Sequence, residues 1–148
     1  MIHYLTTQSN YSLRIDMTDW QGQSKFVIYN NFRIASELDD YRISISGFNT
    51  KSNTADSLTS HNGQKFSTFD VDNDDLPVNI WNGNCAQTFH GAWWYSMCYN
   101  SNLNGKYYSG GIVPRKVNDG VAWNSWNGCG KSLKFVEMKI FRNFNKIK

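Results

Sequence analysis

Residues 66–108, Phe66 to Tyr108, read FSTFDVDNDDLPVNIWNGNCAQTFHGAWWYSMCYNSNLNGKYY. The segment opens on the alternate carboxylates Asp70, Asp72 and Asp74 and carries two cysteines, Cys85 and Cys98, with Gly91-Ala92-Trp93-Trp94-Tyr95 between them. It closes on Asn102-Leu103-Asn104-Gly105, a turn signal. Hard oxygen ligands, a pair of thiols and a dense aromatic core meet here. The rest of the sequence reads as what holds this segment up.

Upstream, Tyr11, Leu13, Ile15 and Met17 alternate with Ser12, Arg14 and Asp16, the period of a half-buried strand. Asp19-Trp20-Gln21-Gly22 reads as a turn. Phe26 to Tyr29 is a second strand, extended by Phe32 and Ile34, and Tyr41, Ile43 and Ile45 alternate in a third that ends at Gly47. Short connections favour sequential pairing, so the three form an antiparallel meander. Phe48 to Gln64 is a loop with room for one helical turn. Downstream of Tyr108 an irregular stretch runs to Gly130, anchored by Trp123 and Trp126. Lys131 to Arg142 is apolar on both faces, with Val136, Met138 and Ile140 on one and Leu133, Phe135 and Phe141 on the other. Such a strand is expected inside the sheet and not at its edge. Asn143 to Lys148 reads as a basic, fraying tail.

The 148 residues suffice for a single core. An aromatic content of 16% with six tryptophans, against 18% charged residues, points to a rigid, aromatic-packed, loop-rich fold rather than a helical bundle. Net charge is +3 without a Lys/Arg run, so nucleic acid is not expected as a partner. No apolar run approaches the roughly 20 residues of a membrane span. Met1-Ile2-His3-Tyr4 has neither a basic n-region nor an apolar h-region, so no signal peptide is read at this start. Of three cysteines, Cys85 and Cys98 suit a local staple in an oxidising compartment, the alternative being three reduced, buried thiols.

Clustered carboxylates repel unless a cation neutralises them, and calcium accepts six to eight oxygens in loose geometry. An EF-hand is excluded: counted from Asp70, position 6 is Asp75 rather than Gly, and position 12 is Trp81 rather than Glu. By spacing alone the cluster fits a calcium site and an acidic, solvated turn equally well. His3, His61 and His90 are scattered and no nucleophile signature accompanies them, so an enzyme is not expected.

Several of these pieces also resemble, in order, the fibrinogen-like C-terminal domain of ficolins, tachylectins, tenascins and angiopoietins. They are Tyr41-Arg42-Ile43, His61-Asn62-Gly63, Phe66-Ser67-Thr68, Asp70-Val71-Asp72-Asn73-Asp74, Asn84-Cys85-Ala86, Gly91-Ala92-Trp93-Trp94-Tyr95, Ser101-Asn102-Leu103-Asn104-Gly105 and Val136-Glu137-Met138-Lys139-Ile140. The resemblance implies one partial fibrinogen-like domain over residues 1–148, a β-rich α+β globe with a central antiparallel sheet. Its sheet would come from residues 1–65 and 131–142, and residues 66–130 would form a loop-rich calcium- and ligand-binding part. Asp72 and Asp74 match the calcium carboxylates, with the carbonyls of Leu76 and Val78 completing the sphere. The stretch from Asp74 to Cys85 is longer than usual and contains Pro77. Cys85 and Cys98 match the family's local disulfide, and the Met97–Cys98 peptide is often cis in relatives.

Two departures qualify the functional expectation. The first subdomain of relatives, with its own disulfide, has no counterpart here, which leaves an apolar face or edge open to association, including with a second copy of the protein. The acetyl pocket of the lectin branch is also altered. The histidine position after the second cysteine is Tyr99, and the three caging tyrosines match Phe89, Val117 and Cys129, with Asn118 beside them. Met97, Cys98 and Tyr99 would form one wall. The expected function is a secreted, calcium-stabilised, lectin-like recognition domain of innate-defence type, taking carbohydrate or another extracellular ligand. The competing expectation is an extracellular protein-interaction module of the tenascin or angiopoietin kind without sugar binding. Relatives gain avidity from stalks, and a lone globe is expected to bind weakly.

Overall fold

The computed structural model describes residues 1–143. Strands β1 (Tyr11–Thr18), β2 (Ser24–Ile34) and β3 (Ile43–Phe48) form the expected antiparallel meander. Their alternation places Leu13, Ile15, Met17, Val27, Tyr29, Ile43 and Ile45 on one buried face. In β2 the buried positions change phase, from Val27 and Tyr29 to Phe32 and Ile34. A register shift opposite Ser12 makes this possible: Leu13 faces Tyr29, whereas Tyr11 faces Phe32. The extra residue is a β-bulge, and the Ser12 hydroxyl donates to the Asn30 carbonyl across it at 3.0 Å. Val27, Tyr29, Phe32 and Ile34 therefore all reach the core from one strand.

A short helix, α1 (Ile2–Gln8), precedes the sheet and was not legible in the sequence. It is tied to the end of β2, whose Ile34 amide donates to the Thr6 hydroxyl at 3.2 Å, while His3 Nδ1 lies 2.9 Å from the Ile34 carbonyl. No helix among the described residues is long and apolar enough to cross a membrane.

The last strand, β6 (Phe135–Arg142), returns to pair antiparallel with β1. The sheet order is β3-β2-β1-β6, so β6 is an edge strand among the described residues, against the expectation of an interior position. Phe135, Met138 and Phe141 are 51%, 37% and 44% exposed. Of the sequence-read tail, only Asn143 falls within the described residues.

Residues 49–134 pack over the sheet with little regular structure. They hold the helical turns α2 (Cys85–Thr88) and α3 (Asn124–Asn127) and the two-residue pair β4 (Ser101–Asn102) and β5 (Ala122–Trp123). Trp93, Tyr95 and Trp123 are fully buried, and specific side-chain bonds replace the missing ladders. The Tyr95 hydroxyl donates to Asn102 Oδ1 at 2.7 Å, and Gly91 permits that bond because a Cβ there would lie 2.5 Å from the same hydroxyl.

His61 closes the expected helical turn in the 49–64 loop (Thr59–His61) and is 1% exposed. Its Nδ1 lies 2.8 Å from the Trp94 carbonyl, and its Nε2 accepts the amides of Asn100 and Ser101 at 3.1 and 3.2 Å. The ring is thus a neutral imidazole protonated at Nδ1, and burial holds its pKa below the ordinary histidine value. His61→Leu leaves a carbonyl and buried amides unpaired and is expected to cost about 3 kcal/mol by denaturant unfolding. The sign of the pH effect follows from the depressed pKa. Stability is fully present above the unfolded imidazole pKa of about 6.5 and is lost as pH falls from there through the folded value. Between pH ~7.5 and ~5.5 the wild-type unfolding free energy should decline more steeply than that of His61→Leu, and equal slopes would refute the neutral, buried imidazole.

Candidate functional site

The loop after Phe69 is built by its own polar side chains. Thr68 Oγ1 donates to Asp70 Oδ1 at 2.7 Å, which turns Asp70 back on its own turn. Asn73 is pinned by its amide to Ser67 Oγ at 3.0 Å and by Nδ2 to the Phe66 carbonyl at 2.8 Å. With Asn73 fixed, Asp72 and Asp74 project together, and Asp72 Oδ1 accepts the Asp74 amide at 3.2 Å. Asp74 Oδ1 accepts the Leu76 amide at 2.9 Å, and Oδ2 accepts the Cys85 amide at 2.8 Å. Burial, reinforced by the charge of Asp72, raises the Asp74 pKa despite these amides. A nearby cation would relieve that penalty.

The carbonyls around Pro77 have separate roles. The Pro77 carbonyl accepts the Ile80 amide at 2.8 Å, whereas those of Leu76 and Val78 accept no hydrogen bond from the described residues. No group of three or more His, Cys, Asp and Glu side chains suited to a metal occurs among the described residues. Any ion at this loop would therefore rely on two carboxylates and backbone oxygens. That donor set fits a hard cation such as calcium and not zinc.

Asp74 connects this loop to a second cluster. Its partner Cys85 is disulfide-bonded to Cys98, and the Met97–Cys98 peptide is cis. Tyr99 follows directly, and its ring meets Phe89 edge-on at 5.0 Å between centroids. Phe89 in turn meets Trp81 edge-on at 5.4 Å. The Tyr99 hydroxyl donates to the Asn118 carbonyl and is held well above its ordinary pKa by burial, with Cys129 and Asp119 adding to the effect. The structure thus brings Phe89, Cys98, Tyr99, Asn118 and Cys129 into one neighbourhood.

Met97 stands at its rim, 65% exposed. Val117 is half-buried in a turn whose amide bonds to the Pro114 carbonyl, and no contact with the aromatic trio is seen for it. Cys129 is a half-buried free thiol.

Three contributors escaped the sequence reading. Trp81, 59% exposed, forms the outer lip, and nothing in its Asn-Gly-rich setting marks it apart from the other tryptophans. Asp119, the residue after Asn118, anchors this backbone in the core. It is 1% exposed, accepts from the Tyr108 hydroxyl at 2.7 Å and lies 2.9 Å from His90 Nδ1. His61 fixes the backbone at Asn100 and Ser101, immediately after Tyr99.

Comparison with known proteins gives this arrangement a family. The family model for the C-terminal globular domain of the fibrinogen beta and gamma chains matches residues 1–143. Fibrinogen C domain-containing protein 1-A of Xenopus laevis is 43% identical over 94% of this protein and 30% of its own length. Human ficolin-3 is 38% identical over 94% of this protein and 44% of its own length. Among solved structures, the fibrinogen-like globe domain of human ANGPTL2 superposes with a TM-score of 0.87 at 41% identity, covering 96% of this protein and 62% of that one. The sequence therefore spans less than half the length of these curated relatives. On the match over residues 1–143 and the shared globe, the protein belongs to the fibrinogen C-terminal globular domain family.

Proposed function

We propose that the protein is an extracellular recognition domain in which a calcium-binding loop sets the shape of an aromatic ligand site. The supporting observation is the covalent and hydrogen-bonded line from Asp74 through the Cys85 amide and the Cys85–Cys98 disulfide to Tyr99. Asp72 and Asp74 would hold the ion together with the carbonyls of Leu76 and Val78, and the ion would supply the positive charge that lets both carboxylates ionise. Asp74 uses its two oxygens to position Leu76 and Cys85, so fixing the carboxylate fixes the start of α2. The disulfide passes that constraint to Cys98, and His61 holds the backbone on the far side of Tyr99. Between these anchors the exposed Trp81 and the half-buried Tyr99 lie on either side of the buried Phe89 and would offer the aromatic surface. Aromatic faces of this kind pack against the apolar patches of a sugar or an acyl group. A disulfide of this kind persists in oxidising, extracellular surroundings.

Carbohydrate is the favoured ligand class, with relatedness to a ficolin as support. A specific observation favours a second reading, in which the same surface meets an extracellular protein. The Tyr99 hydroxyl is already committed to the Asn118 carbonyl, and Trp81 and Met97 are exposed and apolar, as protein-binding anchors are.

Thermal unfolding tests both. Calcium at ~100 times its dissociation constant should add about 2.7 kcal/mol, a midpoint rise of about 5–10 °C that excess chelator reverses. Asp74→Asn should abolish the rise, and a wild-type protein indifferent to calcium would end the Asp72/Asp74 assignment. With calcium present, millimolar N-acetylglucosamine should raise the midpoint further, and Trp81→Ala should remove that second rise. A calcium response with no sugar response in wild type would move the assignment to the protein-binding reading.

A further inference from the structure

The loop between Asp75 and Asn84 displays apolar side chains that the core does not take in. It is rooted by the Asp75 amide on the Ser96 carbonyl at 3.2 Å. It then closes on its own backbone, with the Ile80 amide donating to the Pro77 carbonyl at 2.8 Å and the Gly83 amide to the Ile80 carbonyl at 2.7 Å. Gly83 makes the closure possible, because its φ is +65° and a Cβ there would lie 2.7 Å from the Val78 Cα. Backbone fills the centre of the loop, and the side chains are left outside. Val78 is 85% exposed, and Ile80 and Trp81 are exposed after it.

A second apolar tip flanks the same helical turn. Phe69 is 70% exposed, with Val71 exposed beside it, on a turn closed by the Thr68 amide and the Val71 carbonyl at 2.8 Å. Consecutive residues at the end of α2 hold the two tips: Gln87 Nε2 donates to the Phe69 carbonyl at 3.0 Å, and the Thr88 hydroxyl to the Trp81 carbonyl at 3.3 Å. Five exposed apolar residues are thus carried on one rigid base, a concentration that marks a surface for a partner. From Leu76 to Phe89 the sequence holds no charged residue. Beside this uncharged stretch Asp70, Asp72 and Asp75 are exposed and pair with no Lys or Arg among the described residues.

We propose that the two tips dock the protein on the zwitterionic, choline-headed surface of a lipid bilayer. Val78, Ile80, Phe69 and Val71 enter the acyl boundary, and the amphipathic indole of Trp81 lies at headgroup level. The outermost groups of such a surface are trimethylammonium cations. Unpaired carboxylates attract them, and the aromatic faces of Trp81 and Phe69 bind them. The same carboxylates repel an anionic surface.

The backbone sets the depth. The amides of Val78 and Asn79 have no partner among the described residues, so they have to stay in the hydrated headgroup layer while the side chains go deeper. Two projecting tips with a helical turn between them also suit a fluid surface, which needs no matching cavity to receive them. Docking shares Trp81 with the aromatic site, but it needs neither calcium nor a sugar.

The test is co-sedimentation of the 148-residue protein with phosphatidylcholine vesicles in excess chelator. Half of the protein should sediment at on the order of 0.1–1 mM accessible lipid, the range of a single modest apolar anchor. Val78→Asp and Phe69→Ser, on different tips, should each weaken binding about ten-fold. Vesicles containing phosphatidylglycerol should take up less protein than pure phosphatidylcholine. Phe69 lies outside the aromatic trio and is not one of the calcium carboxylates, so Phe69→Ser should keep the wild-type unfolding midpoint without lipid. Brominated phosphatidylcholine supplies a readout that needs no loss of binding. It should quench the wild-type emission, and Trp81→Phe should lose most of that quenching while still sedimenting. Wild type that stays in the supernatant at about 5 mM lipid overturns the proposal. So does sedimentation that either tip substitution leaves unchanged, that phosphatidylglycerol strengthens, or in which the brominated lipid does not reach Trp81. Because chelator removes calcium and no sugar is added, these results leave the recognition reading to its own test.

Discussion

The arrangement of this domain depends on the side chain of His61, which does in one ring what several turns of regular structure do elsewhere. Most of residues 49–134 lacks ladders, so its buried amides and carbonyls need side-chain partners. His61 meets three of them, and they belong to two separate stretches: Trp94 in the aromatic core and Asn100–Ser101 beside Tyr99. Because the ring is rigid, those stretches keep a fixed separation. The imidazole can do this only while neutral, since protonating Nε2 would turn an acceptor of two amides into a donor facing them.

Asp74 plays the corresponding part on the other side of the disulfide. A carboxylate that accepts two amides is already oriented, and with the like charge of Asp72 beside it the pair would favour the cation proposed there. Rigidity at His61 and at Asp74 brackets the aromatic trio from both ends. The proposed ligand surface is therefore carried on loops that are positioned as firmly as strands would be, which is the combination recognition sites require.

Legibility in the sequence followed the physics of each element. The meander could be read because Leu13, Ile15, Ile43 and Ile45 each alternate with polar residues, a period-2 signal set by the backbone itself. The position of β6 could not, because Phe135 and Phe141 look alike whether a neighbouring layer covers them or solvent does. Helix α1 was missed because seven residues with three threonine or histidine positions give no amphipathic stripe. In the site, Phe89, Cys98, Tyr99, Asn118 and Cys129 were reached through family resemblance, and no pattern local to them announces a shared neighbourhood. Asp119 and His61 were invisible as contributors, since a buried polar residue reveals its role only through partners distant in sequence.

The bulge in β2 bears on how the sequence tolerates change in length. Around Asn30 and Asn31 the strand switches from presenting odd-numbered residues inward to presenting even-numbered ones, so it behaves as two half-strands spliced out of phase. Removing one residue at the splice would bring both halves into one phase and abolish the bulge, whereas removing one within either half would turn part of that half's apolar residues outward. The loop from Asn49 to Gln64, by contrast, has no phase to lose. Insertions and deletions in relatives of this domain should therefore be filtered by position in the alternation rather than by distance from the ligand surface. The frame of β2 then becomes a place where length, more than residue identity, is under constraint.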